Sequence, residues 1–186
     1  METARPWLKK YHIGDGEKFF CLMQHNFDRF RDSFPISLAA SNNVENAENW
    51  IQKKIQGWEQ QSMFSFAIID KNSGKLIGDS IIKNIDWYVP KAEIGYCITS
   101  EFEGKGLMQE VLTALHTFAF EQLGIEKLFL KIATLNHRSF KLAERTGYLQ
   151  EGILKNEYRT ADGELIDIYY YGLTKCHYFK WKEKNK

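Results

Sequence analysis

The sequence predicts a mixed α/β fold on a largely antiparallel sheet of six to seven strands, and three stretches carry that prediction. First, Ala92, Ile94, Tyr96 and Ile98 alternate with Glu93, Gly95, Cys97 and Thr99, the period-2 pattern of a strand. Second, beyond Gly104 and Gly106, the residues Leu107, Val111, Leu112, Leu115, Phe118, Ala119 and Leu123 recur at helical spacing, as on an amphipathic helix. Third, Lys127 to Ala133 (KLFLKIA) is another strand. A strand–helix–strand crossover of this length joins parallel neighbours by a right-handed connection, so these two strands form the central parallel pair.

The other elements follow in chain order. Trp7 to Ile13 reads as a short strand. Gly14-Asp15-Gly16 then opens a helical run through Phe19, Phe20, Met23, Phe27 and Phe30, with Pro35 beyond it. Asn42 and Glu45 form an N-terminal capping pair for a second helix, whose face carries Val44, Ala47, Ile51, Ile55 and Trp58. Met63 to Asp70 and Lys75 to Lys83 are hairpin strands around an Asn72-Ser73-Gly74 turn. After the parallel pair, Asn136 caps a helix ending near Thr146, and Gly147 accepts left-handed geometry. Tyr148 to Arg159 and Glu164 to Leu173 flank an Ala161-Asp162-Gly163 turn. One domain is expected over residues 1–175, with a basic and aromatic tail over 176–186.

With 186 residues the chain is long enough to bury about 70% of its unfolded surface around one core. Its 25 basic and 24 acidic side chains give a net charge of +1. No global attraction for nucleic acid or an anionic membrane follows, so anion binding has to be local, and neither partner is predicted. Cys21, Cys97 and Cys176 are scattered, odd in number and without metal spacing, which points to reduced thiols and a cytoplasmic location. No apolar run approaches the roughly 18 residues of a membrane span. His12, His25, His116, His137 and His177 lack metal-ligand spacing, and no metal is predicted.

A strand, a glycine loop and a helix in succession place unpaired backbone N–H groups and a positive dipole end where an anion can approach. The sequence holds neither GxGxxG nor GxxxxGK[ST], which disfavours dinucleotide and P-loop readings. What decides the matter is GKGLM together with Asn136-His137-Arg138-Ser139 and Gly147-Tyr148. This set resembles the GNAT superfamily of acetyl-CoA-dependent N-acetyltransferases. KAEIGYCITSEFEGKGLMQEVL, NHRSFKLAERTGY and the following LQEG are similar, more narrowly, to the branch that acetylates the N-terminal alanine or serine of ribosomal proteins.

The resemblance implies helices on both faces of the sheet and a parallel pair splayed to hold acetyl-CoA. The pyrophosphate would lie on Glu103, Gly104, Lys105, Gly106, Leu107 and Met108, where Glu103 and Met108 depart from the family pattern. The main chain of Cys97, Ile98 and Thr99 would contact the acetyl-pantetheine arm, with an amide there polarising the thioester carbonyl. Asn136 and Ser139 would also contact the cofactor. Ser139, or a water, would give a proton to the departing thiolate, because the tyrosine common seven residues after the asparagine is replaced here by Ala143. Glu151 would be the general base for the acceptor amine, with Glu93 the second candidate. From the residues alone Asn136 is equally a helix cap, Lys105 a solvated loop lysine and Glu151 a solvent-facing strand residue. Cys97 as a covalent nucleophile is disfavoured, since no histidine is placed to activate it.

The implied activity is acetyl transfer by direct attack in a ternary complex, with an amine acceptor such as a ribosomal protein N-terminus. Acetylation of a small-molecule amine or a lysine, and a non-catalytic acyl-CoA-binding module, are the alternatives. The resemblance also implies a homodimer, to which Tyr169-Tyr170-Tyr171 could contribute, although strand aromatics more often pack in the core.

Overall fold

Seven strands form one mixed sheet in the order β1-β2-β3-β4-β5-β7-β6. The structure is a computed structural model and describes residues 1–185. The strands are β1 Pro6–Lys9, β2 Phe64–Asp70, β3 Leu76–Asp86, β4 Lys91–Ile98, β5 Lys127–Ala133, β6 Leu149–Arg159 and β7 Leu165–Thr174. β4 and β5 pair in parallel over three residue pairs, Lys91–Glu93 with Lys127–Phe129. The predicted mixed α/β class and its central parallel pair are thus observed. The helices are α1 Gly16–His25, α2 Phe27–Phe30, α3 Pro35–Ala40, α4 Val44–Glu59, α5 Leu107–Thr117, α6 His137–Arg145 and α7 Lys175–Lys184.

By their internal contacts the described residues divide into two compact units, one of Met1–Lys83 with Gly95–Val111, the other of Asn84–Ile94 with Leu112 onward. In the first unit, Phe19, Leu22 and Met23 of α1 and Ala47 and Ile51 of α4 are buried with Tyr11, Phe30, Leu38, Ala67 and Cys97 in one cluster. β2 is buried along nearly its whole length, which its FSFAIID run of apolar residues on both faces requires. In the second unit, alternate β5 residues Leu128, Leu130 and Ile132 are buried, as are Tyr171 and Leu173 of β7, Leu115 and Phe120, and Tyr178 of α7.

Several local expectations shift. The helical run through Phe30 breaks at Asn26, whose backbone leaves helical geometry (φ −118°, ψ 21°) while its side chain bonds back to the Leu22 carbonyl at 2.9 Å. Pro35, beyond that run as expected, opens a short helix of its own, because its missing N–H costs nothing at a first helical position. The cap of α4 is Asn43, one residue later than expected. Its side chain accepts from the Asn46 amide at 2.8 Å, while Asn42 Oδ1 accepts from the Asn46 side chain at 2.7 Å. The basic and aromatic segment after Thr174 is helix α7, started by a bond from the His177 amide to the Thr174 hydroxyl at 3.3 Å. Lys186, the last residue of that predicted tail, lies outside the described residues.

Candidate functional site

The predicted residues fall in both units. In the first, β4 runs through Cys97 and Ile98 to Thr99, a single 3₁₀ turn covers Ser100–Phe102, and the glycine loop leads into α5. Gly104 (φ 70°) and Gly106 (φ 77°) are both left-handed, a backbone state that side-chain-bearing residues rarely adopt. A Cβ on Gly104 would meet nothing within 4 Å, whereas one on Gly106 would lie 3.2 Å from the Arg5 guanidinium. The Gly106 carbonyl accepts from the Gln109 amide at 3.1 Å. Gly106 therefore stands as the residue before the helix, and the amides of Leu107 and Met108 have no turn behind them to bond. Both side chains are buried, so these residues present main chain rather than side chain at the loop. A glycine loop of this conformation opening an eleven-residue helix fits a bound phosphate.

Two arginines hold this loop, and neither was visible in the sequence pattern. Arg5 donates from Nη1 to the Lys105 carbonyl at 2.6 Å and from Nε to Glu110 Oε1 at 2.6 Å, and its own amide bonds Glu110 Oε2 at 3.0 Å. Burial pushes the Glu110 carboxyl up, but the Arg5 amide and guanidinium outweigh it and hold it below the usual carboxylate range. Arg29 of α2 forms an ion pair with Glu103. Lys105 places its ammonium 5.0 Å above the Phe102 ring.

On β4 the Thr99 amide already donates to the Ile77 carbonyl at 2.8 Å. Successive strand amides point to opposite edges, so the Ile98 amide points away from β3. The Cys97 thiol is buried, and burial first and Asp79 next push it far above the thiolate range, which removes it as a nucleophile at neutral pH.

In the second unit, Asn136 caps α6, its side chain accepting from the Ser139 amide at 3.1 Å, and Ser139 is half-buried in the first turn. Glu151 sits in a bulge of β6, where the pairing with β7 skips from Gln150 to Gly152. A bulge re-aims its side chain. Here the carboxylate lies across Gly172, where a Cβ would fall 2.2 Å from Glu151 Oε1, and reaches the Lys127 ammonium at 2.6 Å. Tyr170 of β7 stacks on Phe129, ring centroids 5.2 Å apart, with Lys127 5.6 Å from its ring. Burial, and then the charges of Glu151 and Glu93, push the Tyr170 hydroxyl above the ordinary phenol range. Glu93 is 8% exposed and accepts from the Asn84 side chain at 2.8 Å. The unit thus gathers Glu151, Glu93, Tyr170, Lys127 and Asn84, of which the pattern had marked only the two carboxylates. A clue existed in the β7 alternation, which puts Tyr170 on the face opposite Tyr169 and the buried Tyr171.

Among the described residues no group of three or more His, Cys, Asp or Glu could hold a metal ion, and no helix is long and apolar enough to cross a membrane.

Comparison with known proteins assigns this architecture to a class. The family model of the acetyltransferase (GNAT) domain matches residues 5–149, well over half of the chain, and the chain belongs to that family of N-acetyltransferases. It is similar to the uncharacterized N-acetyltransferase p20 of Bacillus licheniformis, 34% identical over 178 residues, covering 96% of this chain and 97% of that one. It is also similar to the [ribosomal protein uS5]-alanine N-acetyltransferase of Escherichia coli (strain K12), 31% identical over 110 residues, covering 59% of this chain and 56% of that one. This chain spans about half the length of the ribosomal acetyltransferases that it matches by sequence. Among solved structures, RimL, a ribosomal L7/L12 alpha-N-protein acetyltransferase in complex with coenzyme A, has the same fold. Its TM-score is 0.86 at 20% identity, over 92% of this chain and 95% of that one.

Proposed function

We propose that this protein acetylates the α-amine of a protein N-terminus, of the ribosomal-protein type, with acetyl-CoA as donor. The observation that carries the donor is the left-handed Gly104 and Gly106 loop, which opens α5 directly after β4. The ribosomal acceptor is supported by the names of relatives that share part of the sequence and by the fold of RimL, solved with coenzyme A. A reduced, cytoplasmic setting suits the free Cys21, Cys97 and Cys176.

Acetyl-CoA supplies an activated thioester; this chain's residues bind, orient and move protons. The amides of residues 104–108 take the pyrophosphate, with Lys105 beside them. The main chain of Cys97, Ile98 and Thr99 lies along the pantetheine arm. Of these, the Ile98 amide polarises the thioester carbonyl, since Thr99 is committed to Ile77. Asn136 orders the first turn of α6, and Ser139 in that turn gives the proton to the leaving thiolate. An N-terminal ammonium has a pKa of about 7.7–8.0 and must lose a proton before it can attack. Glu151 takes that proton through water and Glu93, buried against Asn84, helps to hold the amine. Holding donor and acceptor together supplies much of the rate, because oriented reactants reach effective molarities of about 10⁵ M or more.

The test is thiol release from acetyl-CoA with three acceptors: peptides with a free α-amine, N-blocked peptides bearing lysine, and spermidine. Release with the first alone supports the reading. Release with either of the others moves the acceptor, and cofactor binding without release from any makes the protein a binding module.

A further inference from the structure

Glu103 is an unexpected side chain at the mouth of an anion loop, since a carboxylate there repels phosphate. Its surroundings change that. Glu103 carries an ion pair from Arg29 Nη2, and Arg29 Nη1 donates to Asn26 Oδ1 at 3.2 Å. Asn26 is 6% exposed and is itself fixed to the Leu22 carbonyl at 2.9 Å, so the guanidinium is held from a rigid base. Arg5, the other arginine on the loop, uses Nε and Nη1 to brace Glu110 and the Lys105 carbonyl. Arg29 spends two of a guanidinium's five N–H groups on Glu103 and Asn26, which leaves donors for an anion.

We propose that Arg29 is the cation that receives the pyrophosphate at the 103–108 loop and that Glu103 positions it, so that the carboxylate strengthens cofactor binding instead of opposing it. The proposal rests on the coenzyme A reading above. Its signature is a reversal of sign. Through simple repulsion, removing the Glu103 charge tightens an anion; through positioning, removing it loosens the anion, but only while Arg29 is present.

The experiment is calorimetric titration of CoA, and of pantetheine, which lacks the phosphates, into the full chain and into R29M, R29K, E103Q and R29M/E103Q. R29M weakens CoA about tenfold, the scale of one hydrogen bond to a charged group. R29K recovers part of that, keeping the charge without the planar fork. E103Q weakens CoA about threefold in the unaltered chain and tightens it in the R29M background, where only repulsion remains. Pantetheine affinity is unchanged throughout. A Kd for CoA within twofold of the unaltered value in R29M, or a tighter Kd in E103Q alone, overturns the proposal. Failure of the unaltered chain to bind CoA overturns the coenzyme A reading, and this proposal with it.

Discussion

Two sets of charged side chains, one in each compact unit, put similar chemistry to opposite uses. In the first unit Lys54 of α4 donates to Asp79 Oδ2 at 2.7 Å and the Tyr11 hydroxyl donates to Asp79 Oδ1 at 2.7 Å. Lys54 is 2% exposed, and its ammonium lies 5.0 Å and 4.9 Å from the Tyr11 and Phe19 rings. Burial, then Asp79, push the Tyr11 hydroxyl well above the usual range, so the phenol stays a donor. In the second unit Glu151 and Lys127 form a pair that is about one-third exposed on each side. A dry, mutually satisfied pair has large opposing terms and no room for a reactant, so it fixes α4 to the sheet. A wet pair is worth little, and its carboxylate can exchange one partner for another. Burial, more than charge, separates scaffold from site.

The largest expected effect breaks the buried set. Lys54→Met leaves Asp79 without its cation and destabilises the protein by about 3–5 kcal/mol in urea unfolding, because an uncompensated buried charge remains. A loss below about 1 kcal/mol would show that the cluster is not dry. The exposed set should respond in rate. Glu151→Gln lowers kcat by about 100-fold while leaving the Kd of acetyl-CoA and the unfolding midpoint nearly unchanged. An unaltered kcat transfers the role of base to Glu93.

A third change extends the comparison to a dry group in the second unit. His116 is fully buried among Phe120, Tyr148, Tyr178 and Trp181, bonds the Tyr148 hydroxyl at 3.1 Å, and has its pKa lowered to about 3 by burial. The folded state therefore keeps this imidazole neutral where the unfolded chain, near the ordinary histidine value of 6.5, takes a proton. Its contribution is complete above that value and is lost as pH falls from 6.5 towards 3. Between pH 7 and pH 5 the loss is about 1–2 kcal/mol, and His116→Phe removes that part of the acid sensitivity. Equal acid sensitivity in the two proteins would mean that the histidine is reached by water. Smaller again, Asn136→Ala costs about 1 kcal/mol through the lost cap of α6. Smallest is Lys127→Met, below about 1 kcal/mol in stability, as expected for a pair in water.

Much of this was legible in the sequence because it is written in short-range patterns. The 92–98 alternation, the KLFLKIA strand and the Asn136 cap each depend on residues within one element. The glycine loop was legible for the same reason, since Gly104 and Gly106 are placed by backbone sterics. What the pattern missed depends on distant pairs. Arg5 reaches Lys105 and Glu110 across about a hundred residues of chain, and Arg29 sits in an aromatic run that gives no sign of Glu103. Tyr170 and Lys127 join Glu151 only through strand register. Helix α7 stayed hidden because one buried anchor, Tyr178, serves a segment otherwise dominated by charge. The one-residue slip at Asn42 and Asn43 came from two adjacent asparagines with equal capping chemistry.

Transfer of acetyl to a protein N-terminus is read out by mass spectrometry. Free ribosomal proteins are incubated with acetyl-CoA, with and without this protein, and their N-terminal and lysine-containing peptides are weighed. The expected result is a gain of one acetyl group on the α-amine of at least one N-terminal peptide, dependent on the protein and abolished or strongly reduced by Glu151→Gln. Acetylation confined to lysine side chains, or no added acetyl on any N-terminus, would contradict it.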